Sequence, residues 1–410
     1  MKILENILNA WNRTNLMFRI AAGIVLGAML ALVIPGYGGI GMLGTLFVGA
    51  LKAIAPVLVF VLVVSSVARA RAGLGGRFRK VVMLYMMTTL SAAMLAVFAS
   101  RIFPVTIMFP NVGNVSGSAP GGLSEVFMNI VTGVMSNPLK AIMEANYLSI
   151  LMWAVIIGLA LKKLAGASTL DSVKDWADAV SQVVQWVIQC APFGIMGLVY
   201  SAVSESGLEI FTTYGRLLLL LVGCMCVVSL ILNPAVVACL IKANPYPLLW
   251  QCLKESGVSA FFTRSSAANI PVNMALCKRL GVDEDFYSVS IPLGSTINMN
   301  GAAVTITVMT LATCNTLGIE VTLWSALLLS IMATLAACGA SGVAGGSLLL
   351  IPMACSLFGV GNDVAMQVVA VGFIIGVIQD SVETALNSSA DALFTIATDM
   401  HEKKRAKWTA

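Results

Sequence analysis

The sequence predicts an all-α polytopic membrane protein, with eight transmembrane helices and two re-entrant helical hairpins. Three observations carry that prediction. First, the 410 residues are 59% hydrophobic and only 10% charged, with a mean hydropathy of +0.93, whereas a soluble domain carries about a quarter charged residues. Second, apolar runs repeatedly reach the roughly 20 residues that a membrane crossing needs. Third, the run between Val364 and Thr398 places its polar side chains at Asp380, Thr384, Asn387 and Asp391. Steps of four, three and four residues put all of them on one stripe of an α-helix.

The elements follow in order. An amphipathic stretch (Ile3, Leu4, Ile7, Leu8, Trp11) precedes the first run at 17–35. No A-x-A cleavage site follows it, so it reads as a retained helix and not a removed signal peptide. Further spans are predicted at 40–66, 79–103, 134–161, 178–203 and 210–241. Residues 104–124, rich in Gly, Pro, Ser and Asn, read as an external loop, and 166–177 as a polar internal loop. Residues 245–280 are too polar to span simply and begin and end with charges of the same kind (Lys254; Lys278, Arg279). A segment that enters and leaves on one side is re-entrant, with its tip buried in protein or facing water.

Residues 286–314 cross outward but contain Pro292-Leu293-Gly294 and Asn298-Met299-Asn300-Gly301, which interrupt the helical ladder and free carbonyls at membrane depth. Residues 323–358 hold the glycine-rich run 339–347 between two arms too short to span, a second hairpin entering from the other side. The striped helix then crosses back. Taken alone, the polar segment 256–273 also fits a solvated loop, and the glycine-rich run fits close packing of small residues between helices.

Lys and Arg cluster near the N-terminus, at 69–80, 162–174 and 278–279, and from Lys403 to Lys407, while Pro35–Gly41 and Pro104–Glu125 contain neither. The positive-inside rule then places both termini in the cytoplasm. Such cation-rich internal loops suit a bacterial inner membrane, so the lipid of a plasma membrane is the expected surrounding.

The composition also excludes classes. A net charge of +5 offers no nucleic-acid surface. Nine cysteines are scattered without a CxxC pair, and the single histidine, His401, lies in the tail, which disfavours metal and disulfide chemistry. An intramembrane aspartyl protease needs two carboxylates that share a proton. Asp380 and Asp391, eleven residues apart on one helix, stand ~16 Å apart. An enzyme is therefore not expected. Ionisable groups at membrane depth usually face a pathway, and this stripe suits small cations. Interhelical hydrogen bonding accounts for Thr384 and Asn387 but hardly for two carboxylates, and a cation channel uses similar oxygen ligands.

Four motifs now stand in order: Thr263-Arg264-Ser265-Ser266 with Ile270-Pro271-Val272; Pro292-Leu293-Gly294-Ser295-Thr296-Ile297-Asn298-Met299-Asn300-Gly301; the glycine-rich tip 339–347; and Asp380…Thr384…Asn387…Asp391. On these residues nearly the whole chain resembles the sodium-coupled glutamate/aspartate and neutral amino acid transporter family, an inverted-repeat fold. The nearest resemblance is to its bacterial serine/threonine members.

The resemblance implies sodium-coupled import of L-serine and L-threonine by elevator-type alternating access, a homotrimer, and no cofactor beyond Na+ as coupling ion. Alanine, a dicarboxylate or proton coupling are the alternatives. It implies scaffold helices 1 and 2 in 1–78 and an external loop with scaffold helices 4 and 5 in 104–203. Helix 3 (79–103), helix 6 (204–241) and the core 242–400 would move as the transport unit, with 401–410 a cytoplasmic tail.

Residue roles follow from the same resemblance. Asp380 would take the substrate ammonium, with Thr384 beside it, Asn387 bonding the α-carboxylate or amino group, and Ser265 and Ser266 offering donors to the carboxylate. Gly342 and Val343 at the second tip, and Ala302, would line the pocket. Asp391 with carbonyls of Gly294, Asn298 and Asn387 matches one sodium site, since a hard cation takes oxygen ligands. Carbonyls around Ser341 and near Thr296 match a second. A third would draw on Tyr85, Thr88, Thr89, Asn298 and Asn300.

Three departures set the substrate. Acidic-substrate members carry arginine three residues after the ammonium-binding aspartate, where this chain has Glu383, which repels a side-chain carboxylate. Ala302 stands where they have threonine. Asn300 stands where they have aspartate, which weakens the third cation site. Glu383 is expected to accept from a substrate hydroxyl, to pair with Arg264, or to do both.

Overall fold

The computed structural model describes residue 14 and residues 16–69, 76–108, 136–207, 209–338, 340 and 345–409; among them there are helices and connections but no strand. Helices α1 (Leu16–Val33), α2 (Gly38–Arg69) and α3 (Gly76–Ile102) open the chain. A short α4 (Pro138–Met143), capped by Asn137, precedes α5 (Tyr147–Leu164), capped by Asn146. The predicted span 134–161 is thus two helices, each started by an asparagine that accepts from the first free N–H groups.

Helix α6 (Ala167–Gln189) corrects the expected polar loop at 166–177, which is helical from Ala167 on. Its buried residues Ala177, Ser181, Val184 and Ile188 recur in steps of four, three and four, so its polarity is that of an amphipathic helix and not of a turn. It ends where Pro192 enters the first turn of α7 (Ala191–Ser206), and the two helices are bent by 53°. Proline has no N–H to continue the ladder and crowds the carbonyl four residues back.

Helix α8 (Glu209–Val227) passes through a π-turn, Val228–Leu232, into α9 (Asn233–Ile241), whose Pro234 again removes a donor. The first predicted hairpin rises through α10 (Tyr246–Cys252), a second π-turn and α11 (Val258–Thr263), and returns as α12 (Ile270–Arg279). Its arms lie side by side: Arg279 pairs with Glu255, and Asn269 Nδ2 donates to the Ser256 carbonyl at 3.1 Å.

Then come α13 (Glu284–Ile297) and α14 (Asn300–Leu317). Pro292 does not interrupt α13, contrary to expectation; the break falls at Asn298 and Met299, whose ψ angles of 78° and 55° leave the helical range. The segment expected as the second hairpin contains α15 (Leu323–Ala337), a 3₁₀ turn (Leu348–Leu350) and α16 (Ile351–Ser356), with most of its tip outside the described residues. Helix α17 (Asn362–Thr409) closes the chain and runs on through the expected tail.

Among the described residues five helices are long and apolar enough to cross a membrane, or six if α6 and α7 form one bent span; α1 and α15 are shorter apolar helices. Helices α1, α2, α5, α6 and α7 pack on one another, and α3 packs with α8–α17 around α14 and α17. At Gly23 and Gly27 an added Cβ would strike the carbonyls of Pro192 and Met196, so α1 and α7 approach backbone to backbone. Phe47 of α2 meets Phe373 of α17 edge to face at 5.3 Å, one contact joining the two groups. This arrangement puts α14 and α17 in the interior, where their polar residues must find partners inside the protein.

Candidate functional site

Asp380, Glu383, Thr384, Asn387 and Asp391 are all buried on α17. Asp380 Oδ2 accepts from Arg264 Nε at 2.6 Å and Oδ1 from the Gly345 N–H at 3.1 Å, which brings both hairpins to one carboxylate. Arg264 ends α11 in the left-handed conformation, φ +52°, an uncommon state for a residue with a Cβ. That backbone turn sends the guanidinium inward instead of continuing the helix.

The expected alternative, Arg264 on Glu383, is corrected: Arg264 belongs to Asp380. Glu383 lies three residues on, about 60° round the helix, and faces α14 and the returning arm of the second hairpin. Its Oε2 accepts from Thr305 Oγ1 at 2.7 Å, Ser347 Oγ at 2.9 Å and Gln379 Nε2 at 2.5 Å. Thr384 donates to the Asp380 carbonyl at 2.7 Å, a bond within its own helix. Ala302 is fully buried on α14.

Below this group the helix break is held by α17. Asn387 Oδ1 accepts the Gly301 N–H at 2.8 Å, one of the unpaired donors at the start of α14, and Asn387 Nδ2 lies 3.4 Å from Met299 Sδ. Asn298 Nδ2 donates to Asp391 Oδ1 at 2.8 Å and reaches the Asn387 carbonyl at 3.4 Å. Asp391 Oδ2 and Asn298 Oδ1 are buried with no donor among the described residues. A Cβ on Gly294 would stand 2.8 Å from Asp391 Oδ1 and 3.0 Å from Tyr85 Oη, so only glycine lets α13 come this close. A free carboxylate oxygen and a free amide oxygen beside a broken helix suit a small hard cation. Among the described residues no group of three or more His, Cys, Asp and Glu could hold a metal ion, so a cation beside Asp391 would draw its remaining ligands from carbonyl and amide oxygens.

Asn300 sits in a different environment. Its Oδ1 lies 2.8 Å from Thr89 Oγ1 and 3.4 Å from Thr88 Oγ1, and its Nδ2 donates to Asn233 Oδ1 at 3.2 Å. Tyr85 Oη lies 3.0 Å from Thr395 Oγ1 and 3.4 Å from the Asp391 carbonyl. Thr296 donates to the Leu293 carbonyl at 2.8 Å. Ser341, Gly342 and Val343 lie outside the described residues, but Cys338, which follows α15, reaches the Ile297 carbonyl at 3.5 Å. At the first tip Ser266 is buried and Ser265 Oγ accepts the Ala268 N–H at 3.2 Å.

Several site residues escaped the sequence reading: Thr305, Ser347, Gln379 and Asn233, and the cluster on Ser388. There Asn269 Nδ2 donates to Ser388 Oγ at 2.8 Å and Asn273 Nδ2 at 3.1 Å, with Ser256 Oγ 3.2 Å away, which fastens the first hairpin to α17. Gln379 alone carried a signal, four residues before Glu383 on the same helical face.

Known proteins resemble this chain over nearly its whole length. The pattern of the sodium:dicarboxylate symporter family matches residues 16–400. The chain is 56% identical over 400 residues to a serine/threonine transporter SstT of Bifidobacterium adolescentis, covering 98% of this chain and 93% of that one. It is 54% identical over 396 residues to the protein of that name from Streptococcus agalactiae, covering 97% and 98%. With the one from Streptococcus thermophilus it shares 50% over 403 residues, covering 98% and 100%. On this match, which spans both hairpins, the broken helix and the striped helix, the chain belongs to the sodium:dicarboxylate symporter family.

Proposed function

We propose that this chain is a sodium-coupled symporter that imports the small neutral hydroxy amino acids serine and threonine. One observation carries the reading. Among the described residues the only arginine held against the stripe, Arg264, is paired with Asp380, and the position three residues on is a carboxylate, Glu383. A pocket so built offers no cation to a substrate side-chain carboxylate and does offer an acceptor to a hydroxyl. Relatives named serine/threonine transporters, 50–56% identical over almost the full length, support the same substrates.

In this reading Asp380 takes the substrate ammonium, Ser265 and Ser266 the α-carboxylate, and Thr384, Asn387, Ala302, Gly342 and Val343 the remaining pocket wall. Asp391 with Asn298, Gly294 and Asn387 binds one sodium ion; carbonyls near Thr296 and Ser341 bind another. Thr88, Thr89 and Asn300 form a polar contact whose amide is already bonded to Asn233. Eight spans and two re-entrant hairpins sit in a bacterial inner membrane with both termini cytoplasmic. The group α3 and α8–α17 moves against α1, α2 and α5–α7 within a homotrimer.

The test is competition uptake in proteoliposomes across amino acids, with sodium and proton gradients imposed separately. Accumulation of serine and threonine driven by sodium alone is expected, and Asp380→Ala abolishes it. Uptake driven only by protons, or aspartate as the best competitor, overturns the assignment.

A further inference from the structure

Glu383 is held differently from the other carboxylates of α17. All three of its donors converge on one oxygen, Oε2, and each comes from a different place: Thr305 on α14, Ser347 at the turn that follows the second hairpin's tip, and Gln379 one helical turn earlier on α17. The three side chains are themselves buried. Gln379 Nε2 also donates to Thr305 Oγ1 at 2.8 Å. Thr305 therefore accepts from Gln379, and its single hydroxyl hydrogen is left for Glu383. The donations run one way, Gln379 to Thr305 to Glu383. The second carboxylate oxygen, Oε1, has no donor among the described residues, and Glu383 keeps 5% of its surface exposed.

We propose that Thr305, Gln379 and Ser347 are positioning residues for substrate selection: they fix Glu383 by Oε2 so that Oε1 is presented as the acceptor for the hydroxyl of the transported amino acid. This rests on the reading of the chain as a serine/threonine symporter. The last torsion of a glutamate is broad and roughly two-fold, so an unconstrained carboxylate has no fixed direction. With one oxygen saturated by three donors, the rotation is stopped and the other oxygen has a fixed direction. A substrate with a hydroxyl satisfies it; alanine leaves a buried carboxylate oxygen without a donor, which is costly. The second hairpin takes part through Ser347, so the acceptor is complete only when the returning arm is seated against α17. Recognition of the hydroxyl and seating of that arm are then one event.

The experiment measures sodium-driven uptake of serine, threonine and alanine in proteoliposomes by the wild type and by Thr305→Val, Thr305→Ser and Ser347→Ala, each checked for monodisperse recovery after purification. Thr305→Val keeps the volume and removes the donor. It lowers kcat/KM for serine and threonine by about five- to tenfold more than for alanine, the worth of one directed hydrogen bond. Thr305→Ser restores the preference, and Ser347→Ala acts in the same direction as Thr305→Val. A merely structural role would lower all three substrates together, and that equal loss overturns the proposal while leaving the symporter reading intact. Absence of sodium-driven serine uptake in the wild type overturns the symporter reading itself.

Discussion

Arg264 and Asp380 form a buried ion pair, Nε to Oδ2 at 2.6 Å, that joins the tip of the first hairpin to the middle of α17. Arg264 Nη1 has no acceptor among the described residues, so Asp380 is the group that compensates this charge. Removing one partner of such a pair strands the other and costs about 3–5 kcal/mol, whereas removing both costs less. Asp380→Ala is therefore expected to lower the melting temperature as well as abolish uptake. The double variant Arg264→Ala, Asp380→Ala should regain part of the melting temperature and none of the uptake. Thermal unfolding of the purified proteins separates the two effects; additive losses in the double variant would count against the pair.

A second prediction concerns the approach of α13 to Asp391. A Cβ at position 294 would press on Asp391 Oδ1 and Cγ and on Tyr85 Oη at 2.8–3.0 Å, and Asp391 is anchored by Asn298. Gly294→Ala must displace the carboxylate from the helix break. The expected result is a higher sodium concentration for half-maximal uptake, with a smaller change in the serine concentration required. Asp391→Asn, which keeps the volume and removes the charge, should shift sodium dependence in the same direction. Sodium activation curves at saturating serine check both.

How much of this was legible in the sequence depends on how local each feature is. The stripe on α17 could be read because four polar residues at helical spacing in an apolar run leave one geometric solution. In 245–280 the polarity forbids a simple crossing, and there the paired arms α10–α11 and α12 follow. The choice of Asp380 over Glu383 for Arg264 could not be read. Both carboxylates lie within one turn, and the left-handed backbone at Arg264 decides between them. The donors on Glu383 escaped for a related reason, since Thr305 lies 78 residues away and Ser347 36. In 167–177 the difficulty is of another kind: polar residues on the outer face of α6 resemble a loop, and the inward series Ala177, Ser181, Val184, Ile188 that marks the helix lies mostly beyond them.

At the end expected in the cytoplasm, Arg77 bridges Asp283 at 2.6 Å and Asp399 at 2.9 Å, and Lys403 bridges the same two aspartates at 2.9 and 2.7 Å. Hydrogen bonds from Arg77 and then Lys403 hold the Asp283 carboxyl below the usual carboxylate range. A lowered folded pKa means stability that is present above the unfolded value of about 3.9 and lost as pH falls through the folded value. The group is largely exposed, so the contribution is under about 1 kcal/mol. Asp283→Asn should lower the melting temperature slightly at pH 7 and flatten its decline on the acid side. Added salt should weaken the effect in the wild type and not in the variant.

The buried core also makes a prediction about coupling. If the carboxylates of these buried residues cross ionised, Arg264 contributes one positive charge against three negative ones from Asp380, Glu383 and Asp391, a net charge of −2 among these four side chains. Unpaired charge is expensive at membrane depth, and a zwitterionic amino acid adds none. Two sodium ions bring the loaded core to neutrality, so the expected ratio is two sodium ions per serine. The membrane potential then acts on the empty return, when a core of −2 moves outward, driven by an inside-negative potential. Each charge is worth about 2.3 kcal/mol per 100 mV, so serine accumulation should respond to voltage with two charges per cycle. Reversal of net serine flux in proteoliposomes, titrated with sodium gradients and with potassium diffusion potentials, counts both quantities. Asp391→Asn should reduce each count from two to one. A wild-type count of one would mean that one of the three carboxylates crosses with a proton.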